Sequence, residues 1–241
     1  MIGIIGFGRF GKLTAGYLAE DFDVFVFNRT DKSAEIKKSG ACKASLKTVC
    51  QQKIVILCVP ISTLKAVLLE IGPLLRKDSV VVDVCSVKVY PTQWMKESLS
   101  ETVSILATHP IFGPDSASDS LKDRKIFLSP IRISKKQYQK IKTYLTSKEL
   151  VLIESTPEDH DEQIAISLAL THYIGRTLSE FGAAPLDIDS EGYKRLLHIL
   201  EVVEHDTWQL FYDMHHYNPY AQEKRAAFRQ AMQKIDEQLE C

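Results

Sequence analysis

Three glycines near the amino terminus, Gly6, Gly8 and Gly11, constrain this chain more than any other feature. They follow the apolar run Met1–Ile5 and open an amphipathic segment, so the context is strand, tight turn and helix. In such a turn the first glycine permits the bend, the second lets a ligand approach the backbone, and the third lets helix and strand pack closely. The free N–H groups of the helix amino terminus favour an anion. The spacing therefore predicts a site for the pyrophosphate of a dinucleotide.

Short apolar runs alternate with helical segments over residues 1–155. The runs, which are rich in β-branched residues and nearly free of charge, are Ile2–Ile5, Val24–Phe27, Ile54–Val59, Val80–Val84, Val103–Ala107, Ile126–Ile133 and Leu150–Glu154. The helical segments between them are Gly11–Ala19, Ser33–Ser39, Ile61–Leu69, Pro91–Leu99 and Lys135–Leu145. Alternation of this kind predicts an α/β fold with a doubly wound, Rossmann-type parallel sheet.

Helical patterns alone fill residues 156–241, which we interpret as a second, smaller, all-helical domain for substrate binding and dimerisation. They run over Glu158–Phe181, Gly192–Met214 and Ala221–Leu239, and Thr156 and Pro157 are typical of a helix start. The first of these helices is apolar around much of its circumference. Because so small a domain often completes its core on a partner subunit, we expect a homodimer.

The second strand of a dinucleotide-binding sheet ends at the residue that reads the adenosine ribose. Here that strand ends in Asn28, Arg29 and Thr30, where an NAD site usually has an acidic residue. Asn28 carries no charge to repel a 2′-phosphate, and Arg29 can form a bidentate pair with one. The sequence therefore predicts NADP as the preferred cofactor, with NAD possible and with Thr30 and Lys32 as further contacts. In the alternative interpretation Arg29 is a solvated loop charge.

Two polar side chains, Ser86 and His109, follow the strands Val80–Val84 and Val103–Ala107. Open α/β sheets bind their ligands at the carboxyl ends of the strands. A histidine there can accept a hydroxyl proton as hydride leaves, and a serine can orient that hydroxyl, so the pair suits alcohol oxidation. The alternative is a capping or turn role for each residue, since Pro110 also marks a turn.

Composition excludes several classes of protein. The chain has 241 residues with 30 Lys and Arg against 31 Asp and Glu, so neither a nucleic-acid nor a membrane-surface partner is expected. No apolar run approaches the ~20 residues needed to span a bilayer, and no basic signal-peptide region is present at the start. The five cysteines form no C-x-x-C pair, which is typical of a reduced, cytoplasmic protein without a bound metal.

The chain resembles the prephenate/arogenate dehydrogenase family in several segments, in the same order and at the same spacing. These are Asp83-Val84-Cys85-Ser86-Val87-Lys88, Thr108-His109-Pro110-Ile111-Phe112-Gly113-Pro114, Asp159-His160-Asp161 and Thr171-His172-Tyr173-Ile174-Gly175-Arg176. The tail, with Gly192-Tyr193-Lys194-Arg195-Leu196-Leu197, Phe211-Tyr212-Asp213 and Tyr217-Asn218, is more similar to the plant arogenate enzymes than to the enteric prephenate enzymes. The resemblance covers nearly the whole chain.

The resemblance implies oxidation of a cyclohexadienol in tyrosine biosynthesis, with hydride transfer to NAD(P)+ and loss of the ring carboxylate as CO2. It places the catalytic base at His109, its serine partner at Ser86 and a substrate-side histidine at His172, so that the site would lie between two domains and exclude water. The cofactor contacts implied are Gly6, Phe7, Gly8, Arg9, Phe10, Gly11, Asn28, Arg29, Thr30, Val59 and Pro60.

One departure from the family leaves the substrate open between prephenate and arogenate. Many prephenate enzymes carry a carboxylate-binding arginine near the position of His198. The candidates to replace it are Arg176, Lys194 and Arg195, and Lys88 is a further predicted substrate-binding residue.

Two other functions remain as alternatives. A non-catalytic NADP-binding protein would lack one of Ser86 and His109, and both are present. A β-hydroxyacid type of dehydrogenase would carry a catalytic lysine on the first interdomain helix, and residues 163–177 contain none.

Overall fold

The structure is a computed structural model that describes residues 1–240. The chain divides into two compact units, the first spanning Met1–Pro157 and the second beginning at Glu158. The sequence placed the boundary after residue 155.

The first unit contains one eight-stranded sheet with helices on both faces. Its strands are β1 (Ile2–Ile5), β2 (Val24–Phe27), β3 (Cys42–Lys43), β4 (Ile54–Leu57), β5 (Val80–Asp83), β6 (Ser104–Pro110), β7 (Lys125–Arg132) and β8 (Val151–Glu154). Its helices are α1 (Arg9–Ala19), α2 (Ser33–Lys38), α3 (Leu46–Cys50), α4 (Ile61–Ile71, continued by a 3-10 turn at Gly72–Leu74), α5 (Val89–Ser98) and α6 (Lys135–Ser147). The strand order β3-β2-β1-β4-β5-β6-β7-β8 confirms the predicted doubly wound α/β fold.

The sheet departs from the prediction at one pair of strands. All neighbouring strands are parallel except β6 and β7, which pair antiparallel. Parallel neighbours need a crossover, usually a helix, and the chain between Pro110 and Lys125 contains none. The chain therefore turns back at the same edge of the sheet. The strand β6 also extends to Pro110, three residues beyond the predicted end at Ala107, so His109 lies within a strand.

The short elements β3 and α3 were not predicted. The strand β3 has two exposed residues and pairs only with the edge of β2, so it carries no apolar run. The helix α3 has five residues and begins at Ser45, whose hydroxyl accepts from Thr48 N. Elements this short contain too few residues for a hydrophobic period to be recognised.

A continuous apolar core covers the central strands and orients their carboxyl ends. Ile4, Val26, Val81, Ile105 and Leu106 are fully buried. Strands that are covered on both faces must be apolar throughout, which is why these segments read as uninterrupted apolar runs. Polar side chains appear only where the strands end, and that edge carries the candidate site.

The second unit is all-helical, as predicted. Its helices are α7 (Pro157–Ile164), α8 (Thr171–Phe181), α9 (Glu191–Glu204), α10 (Trp208–His216) and α11 (Ala221–Leu239). A π-helical stretch, Ala165–Leu170, joins α7 to α8, and Gly182 ends α8 in the left-handed conformation with φ +80°. Within residues 1–240 no helix is both long enough and apolar enough to cross a membrane.

The predicted helix Gly192–Met214 is wrong as a single element, because it breaks between Glu204 and Trp208. Thr207 begins α10, and its hydroxyl accepts a hydrogen bond from Leu210 N at 3.2 Å. A threonine cap satisfies the backbone donors of a new helix start, so the break is stabilised locally. The apolar periodicity continues through the break, which is why the pattern indicated one helix.

Candidate functional site

The turn after β1 has the geometry of a phosphate cradle. Gly6 has φ +98°, and a Cβ there would lie 2.2 Å from the carbonyl oxygen of Cys58. A Cβ on Gly11 would lie 2.3 Å from the carbonyl oxygen of Gly6. A Cβ on Gly8, by contrast, would meet nothing within 4 Å. The turn is therefore closed on its protein side and open over Gly8, where a ligand can reach the backbone at the amino terminus of α1.

Asn28 ties the end of β2 to this turn. Its Oδ1 accepts a hydrogen bond from the backbone N–H of Phe7 at 2.9 Å. Its Nδ2 donates to the carbonyl oxygen of Thr30 at 3.1 Å and to Thr30 Oγ1 at 2.9 Å. Both ends of the amide are thus engaged within the protein. Asn28 positions the turn and the loop after β2, in addition to the ribose contact that its position predicts.

The side chain of Phe7 does not fit a direct cofactor contact. Its ring is 2% exposed and belongs to the core of the first unit, and its N–H is bonded to Asn28. The ring of Phe10 packs against that of Phe112, with centroids 6.2 Å apart. Both aromatic residues therefore shape the turn from the protein side.

The remaining predicted cofactor residues are Arg9, Arg29, Val59 and Pro60. Arg9 forms an exposed ion pair with Asp115 at 2.5 Å. Arg29 is exposed at the end of β2. Val59 packs against the turn, its Cγ1 lying 3.2 Å from the position of a Cβ on Gly6, and Pro60 begins α4.

Ser86 and His109 lie at the carboxyl ends of the neighbouring strands β5 and β6, at the same edge of the sheet as the glycine turn. Ser86 lies in the turn after β5, and His109 is the penultimate residue of β6, opposite Phe127 of β7. Both are buried, at 9% and 6% exposure. The hydroxyl of Ser86 has no hydrogen-bond partner within the described residues. A buried hydroxyl without a partner is costly, which makes Ser86 a candidate for contact with a ligand.

Lys88 does not fit the substrate-binding role predicted for it. Its side chain is 0% exposed and forms an ion pair with Asp83, which is equally buried. The ammonium also donates to the carbonyl oxygen of Thr108 at 2.6 Å. The charge is neutralised inside the protein and has no surface that a substrate could meet. A lysine is almost never fully buried unless it is paired, so the sequence suggested that Lys88 is exposed. The partner that allows its burial, Asp83, is evident only in the structure.

The cysteines near this edge are poor nucleophiles. Burial raises the pKa of Cys58 to about 12. Burial, followed by the charge of Asp83, raises the pKa of Cys85 well above its usual value. Because the thiolate is the reactive form, neither residue competes with Ser86 and His109 for a chemical role.

His172 lies buried on α8 in the second unit. Its Nε2 is 3.6 Å from a carboxylate oxygen of Asp206, and its Nδ1 has no hydrogen-bond partner within the described residues. Burial lowers the pKa of His172, Asp206 opposes that shift, and Arg176 adds to it. The imidazole is therefore neutral at pH 7 and carries one ring nitrogen for an additional hydrogen bond.

Arg176 lies one turn after His172 on the same helix. Its guanidinium donates to the carbonyl oxygen of Asp206 and stacks on Trp208, with the central carbon 4.4 Å from the ring centroid. It therefore holds the break between α9 and α10, while its Nε has no partner within the described residues. Lys194 pairs with Glu191 at 3.0 Å, and Arg195 is exposed. The structure brings only Arg176 of these three next to His172.

The sequence did not predict two groups of the second unit as site candidates, namely His215 and the pair formed by His160 and Asp161. His215 is 7% exposed, and neither of its ring nitrogens has a partner within the described residues. Burial first, and then Arg225, His172 and His216, lower the pKa of His215 to about 4. The Nδ1 of His160 lies 2.7 Å from Asp161 Oδ1, a buried pair that the sequence showed only as part of a resemblance. In the sequence, neither histidine can be distinguished from an ordinary histidine on an apolar helix face.

Comparisons with known proteins bear on the whole chain. The fold and the open glycine turn define a dinucleotide-binding domain of Rossmann type, joined to a helical unit. Residues 26–154, more than half of the chain, match the family described as prephenate dehydrogenase, nucleotide-binding domain. The chain belongs to the prephenate dehydrogenase family. Residues 177–241 match the family described as TYRAAT1-like, C-terminal domain.

Two curated relatives come from Arabidopsis thaliana. Arogenate dehydrogenase 1, chloroplastic, is 30% identical over 249 residues, which cover 99% of this chain and 39% of that protein. Arogenate dehydrogenase 2, chloroplastic, is 29% identical and is covered over 69% of its length. The chain thus spans well under half of one relative and about two thirds of the other.

A solved structure supports the fold. The prephenate dehydrogenase of A. aeolicus, crystallised with hydroxyphenyl propionate and NAD+, aligns with a TM-score of 0.80. The two proteins are 19% identical, and the alignment covers 99% of this chain and 90% of that one. At this identity the likeness establishes a shared architecture.

Proposed function

We propose that this chain is an NAD(P)-dependent dehydrogenase that oxidatively decarboxylates prephenate or arogenate in tyrosine biosynthesis. The observation that carries the proposal is the unpartnered, buried hydroxyl of Ser86 in the turn after β5, next to the strand that carries His109 and at the edge that carries the open turn at Gly8. Family membership supports the reaction type. The names of the two Arabidopsis relatives favour arogenate as the first substrate to test.

Each group of the site has one task in this reaction. His109 takes the proton of the ring C4 hydroxyl, and Ser86 orients that hydroxyl. As hydride leaves C4, the ring carboxylate departs as CO2, and the electron pair of its C–C bond completes the aromatic ring. The nicotinamide, when bound, supplies the hydride acceptor. The role predicted for His172, which lies in the second unit, is a hydrogen bond to the substrate.

The preference for NADP over NAD rests on charge at the end of β2. Asn28 places no carboxylate beside the ribose, and the exposed Arg29 is available to a 2′-phosphate. Thr30 Oγ1 accepts from Asn28 and therefore keeps its own proton for donation. These three residues support recognition of a phosphorylated ribose.

A homodimer joined through the helical unit is part of the proposal. This unit exposes large apolar side chains, including Phe181 at 82%, Ile188 at 93% and Leu239 at 80%. A second copy of the same unit is the occupant that would bury them, as in obligate dimers with interfaces above ~2,000 Å². Sedimentation at micromolar concentration tests this, and a monodisperse monomer contradicts it.

The central experiment is an assay of the purified protein with prephenate and with arogenate, each with NAD+ and with NADP+. Formation of reduced nicotinamide together with CO2 supports the proposal. A parallel preparation of the Ser86→Ala/His109→Asn variant controls for contaminating dehydrogenases. Tight NADP+ binding without turnover of either substrate contradicts the proposal and favours a non-catalytic NADP-binding protein.

A further inference from the structure

A buried ion pair lies directly behind the two candidate catalytic side chains. Asp83 is the last residue of β5, Lys88 precedes α5, and both side chains are 0% exposed. The turn between them contains Ser86. The carboxylate of Asp83 also accepts from the backbone N–H of Cys85 at 3.1 Å, so the turn is closed by a charged pair and by a backbone contact.

The same pair holds the neighbouring strand through Thr108, the residue before His109. Asp83 Oδ1 accepts from Thr108 N at 3.3 Å, and Lys88 Nζ donates to Thr108 O at 2.6 Å. Thr108 Oγ1 donates to the carbonyl oxygen of Asp83 at 2.6 Å. Every polar group of Thr108 therefore bonds to Asp83 or Lys88. We call Asp83, Lys88 and Thr108 the strand-end clamp.

Stability alone is a poor explanation for such a pair. Two charges lose their hydration on burial, and well-packed uncharged replacements are often equally stable or more stable. The geometry points to another use, because the clamp connects the turn that carries Ser86 to the strand that carries His109. A rigid hydrogen-bonded network behind reacting groups fixes their separation and orientation.

We propose that Asp83 and Lys88 are positioning residues that set the placement of Ser86 relative to His109, and that Lys88 makes no contact with substrate. This inference rests on the proposed function of Ser86 and His109. Both side chains are fully buried and bonded within the protein, so they can act only through the groups that they hold.

The test is the double variant Asp83→Asn/Lys88→Met. It removes both charges together, keeps an amide acceptor for the backbone donors, and breaks the link to Thr108 O. We expect a folded protein whose kcat falls by about 10- to 100-fold, the scale of a small misplacement of reacting groups. We expect KM and the NADP+ dissociation constant to change by less than about threefold, since binding does not depend on this separation. The acid limb of the kcat profile stays in place, because His109 remains the base.

Arg132 provides a matched control at the other end of β6. It donates to the carbonyl oxygens of Val103 and Leu99, each at 3.0 Å, so Arg132→Met also removes a charged link between elements. We expect this variant to lose thermal stability and to keep its kcat. A general loss of rigidity would lower kcat in both variants, whereas the clamp predicts a loss only in the first.

Three results would overturn the proposal: an unchanged kcat in the folded double variant, a raised KM with unchanged kcat, and an equal fall in kcat in the Arg132→Met control. If the double variant does not fold, Thr108→Val keeps the ion pair and removes one bond of the clamp, and an unchanged kcat there contradicts the proposal. The ring resonances of His109 give a readout without turnover. They should shift in the double variant and not in the control, even if neither substrate is converted.

Discussion

The side-chain oxygen of Asn28 accepts a hydrogen bond from the backbone N–H of Phe7 at 2.9 Å. The residue that is predicted to read the adenosine ribose thus also holds the glycine turn. Cofactor choice and the shape of the turn are coupled through this amide, which gives the first prediction.

Asn28→Asp should reverse the cofactor preference. Aspartate keeps an acceptor for Phe7 N–H, loses the donation to Thr30, and adds a negative charge that repels a 2′-phosphate and accepts from ribose hydroxyls. We expect NADP+ affinity to fall by about 1.5–3 kcal/mol and NAD+ affinity to rise. Calorimetric titration with both cofactors measures this. A parallel loss for both would mean that the turn itself had changed.

Arg29→Ala should weaken NADP+ binding by about 1.5–3 kcal/mol, the scale of a hydrogen bond to a charged group, and leave NAD+ little changed. The exposed Lys37 on α2 is a matched control, and Lys37→Ala should affect neither cofactor. An equal loss for the two cofactors in Arg29→Ala would show that Arg29 does not read the 2′-phosphate.

The glycines of the turn should separate folding from cofactor binding. Gly8→Ala places a methyl group in open space and should fold normally, yet lose cofactor affinity by at least about tenfold because the methyl blocks the pyrophosphate. Gly16 lies inside α1, and a Cβ added there also meets nothing within 4 Å. The Gly16→Ala variant should therefore bind cofactor normally and have a slightly higher melting temperature. Gly6→Ala meets Cys58 O at 2.2 Å and should unfold the turn. Normal cofactor binding by Gly8→Ala would contradict the assigned phosphate site.

His109→Asn should lower kcat by about 10²–10⁴, because asparagine can donate a hydrogen bond but cannot take the proton. NADP+ affinity should stay nearly intact. In the unchanged protein kcat falls as pH decreases, since a protonated imidazole accepts nothing, and this acid limb should disappear in the variant. Ser86→Ala should reduce kcat less, because serine orients the hydroxyl. If His109→Asn kept the same limb and rate, His172 would be the next candidate for the base.

His215 should make the protein less stable in acid. Its pKa is lowered from 6.5 to about 4 in the folded state, so its contribution is complete above pH 6.5 and is lost as pH falls towards 4. The unfolded chain binds the additional proton, so the free energy of unfolding falls as pH decreases from 6.5 towards 4. Urea unfolding at pH 7.5 and pH 4.5 measures it.

The matched variants for this prediction are His215→Phe and His198→Gln. Phenylalanine fits beside Phe211, whose ring centroid lies 4.6 Å from that of His215, and removes the titrating group. The free energy of unfolding should depend less on pH in His215→Phe, and the dependence that remains comes in part from His172, whose pKa is also lowered. It should be unchanged in His198→Gln, because His198 is exposed. Identical pH dependence in all three proteins would refute the assignment.

The amino-acid sequence by itself determined the α/β class, the glycine turn, seven of the strands within a few residues, and the placement of Ser86 and His109 at the carboxyl ends of two of them. These features are local, because a buried strand must be apolar along its length and a tight turn requires glycine where φ is positive. Hydrophobic periodicity reports such burial directly from neighbouring residues.

Only the tertiary structure decided which polar groups meet. Lys88 was expected to face substrate, and it pairs instead with Asp83 inside the protein. Asn28 was expected to face the ribose, and its amide is bonded to Phe7 and Thr30. The physical reason is that periodicity records whether a position is buried, whereas the partner of a charge or an amide is set by segments far apart in sequence.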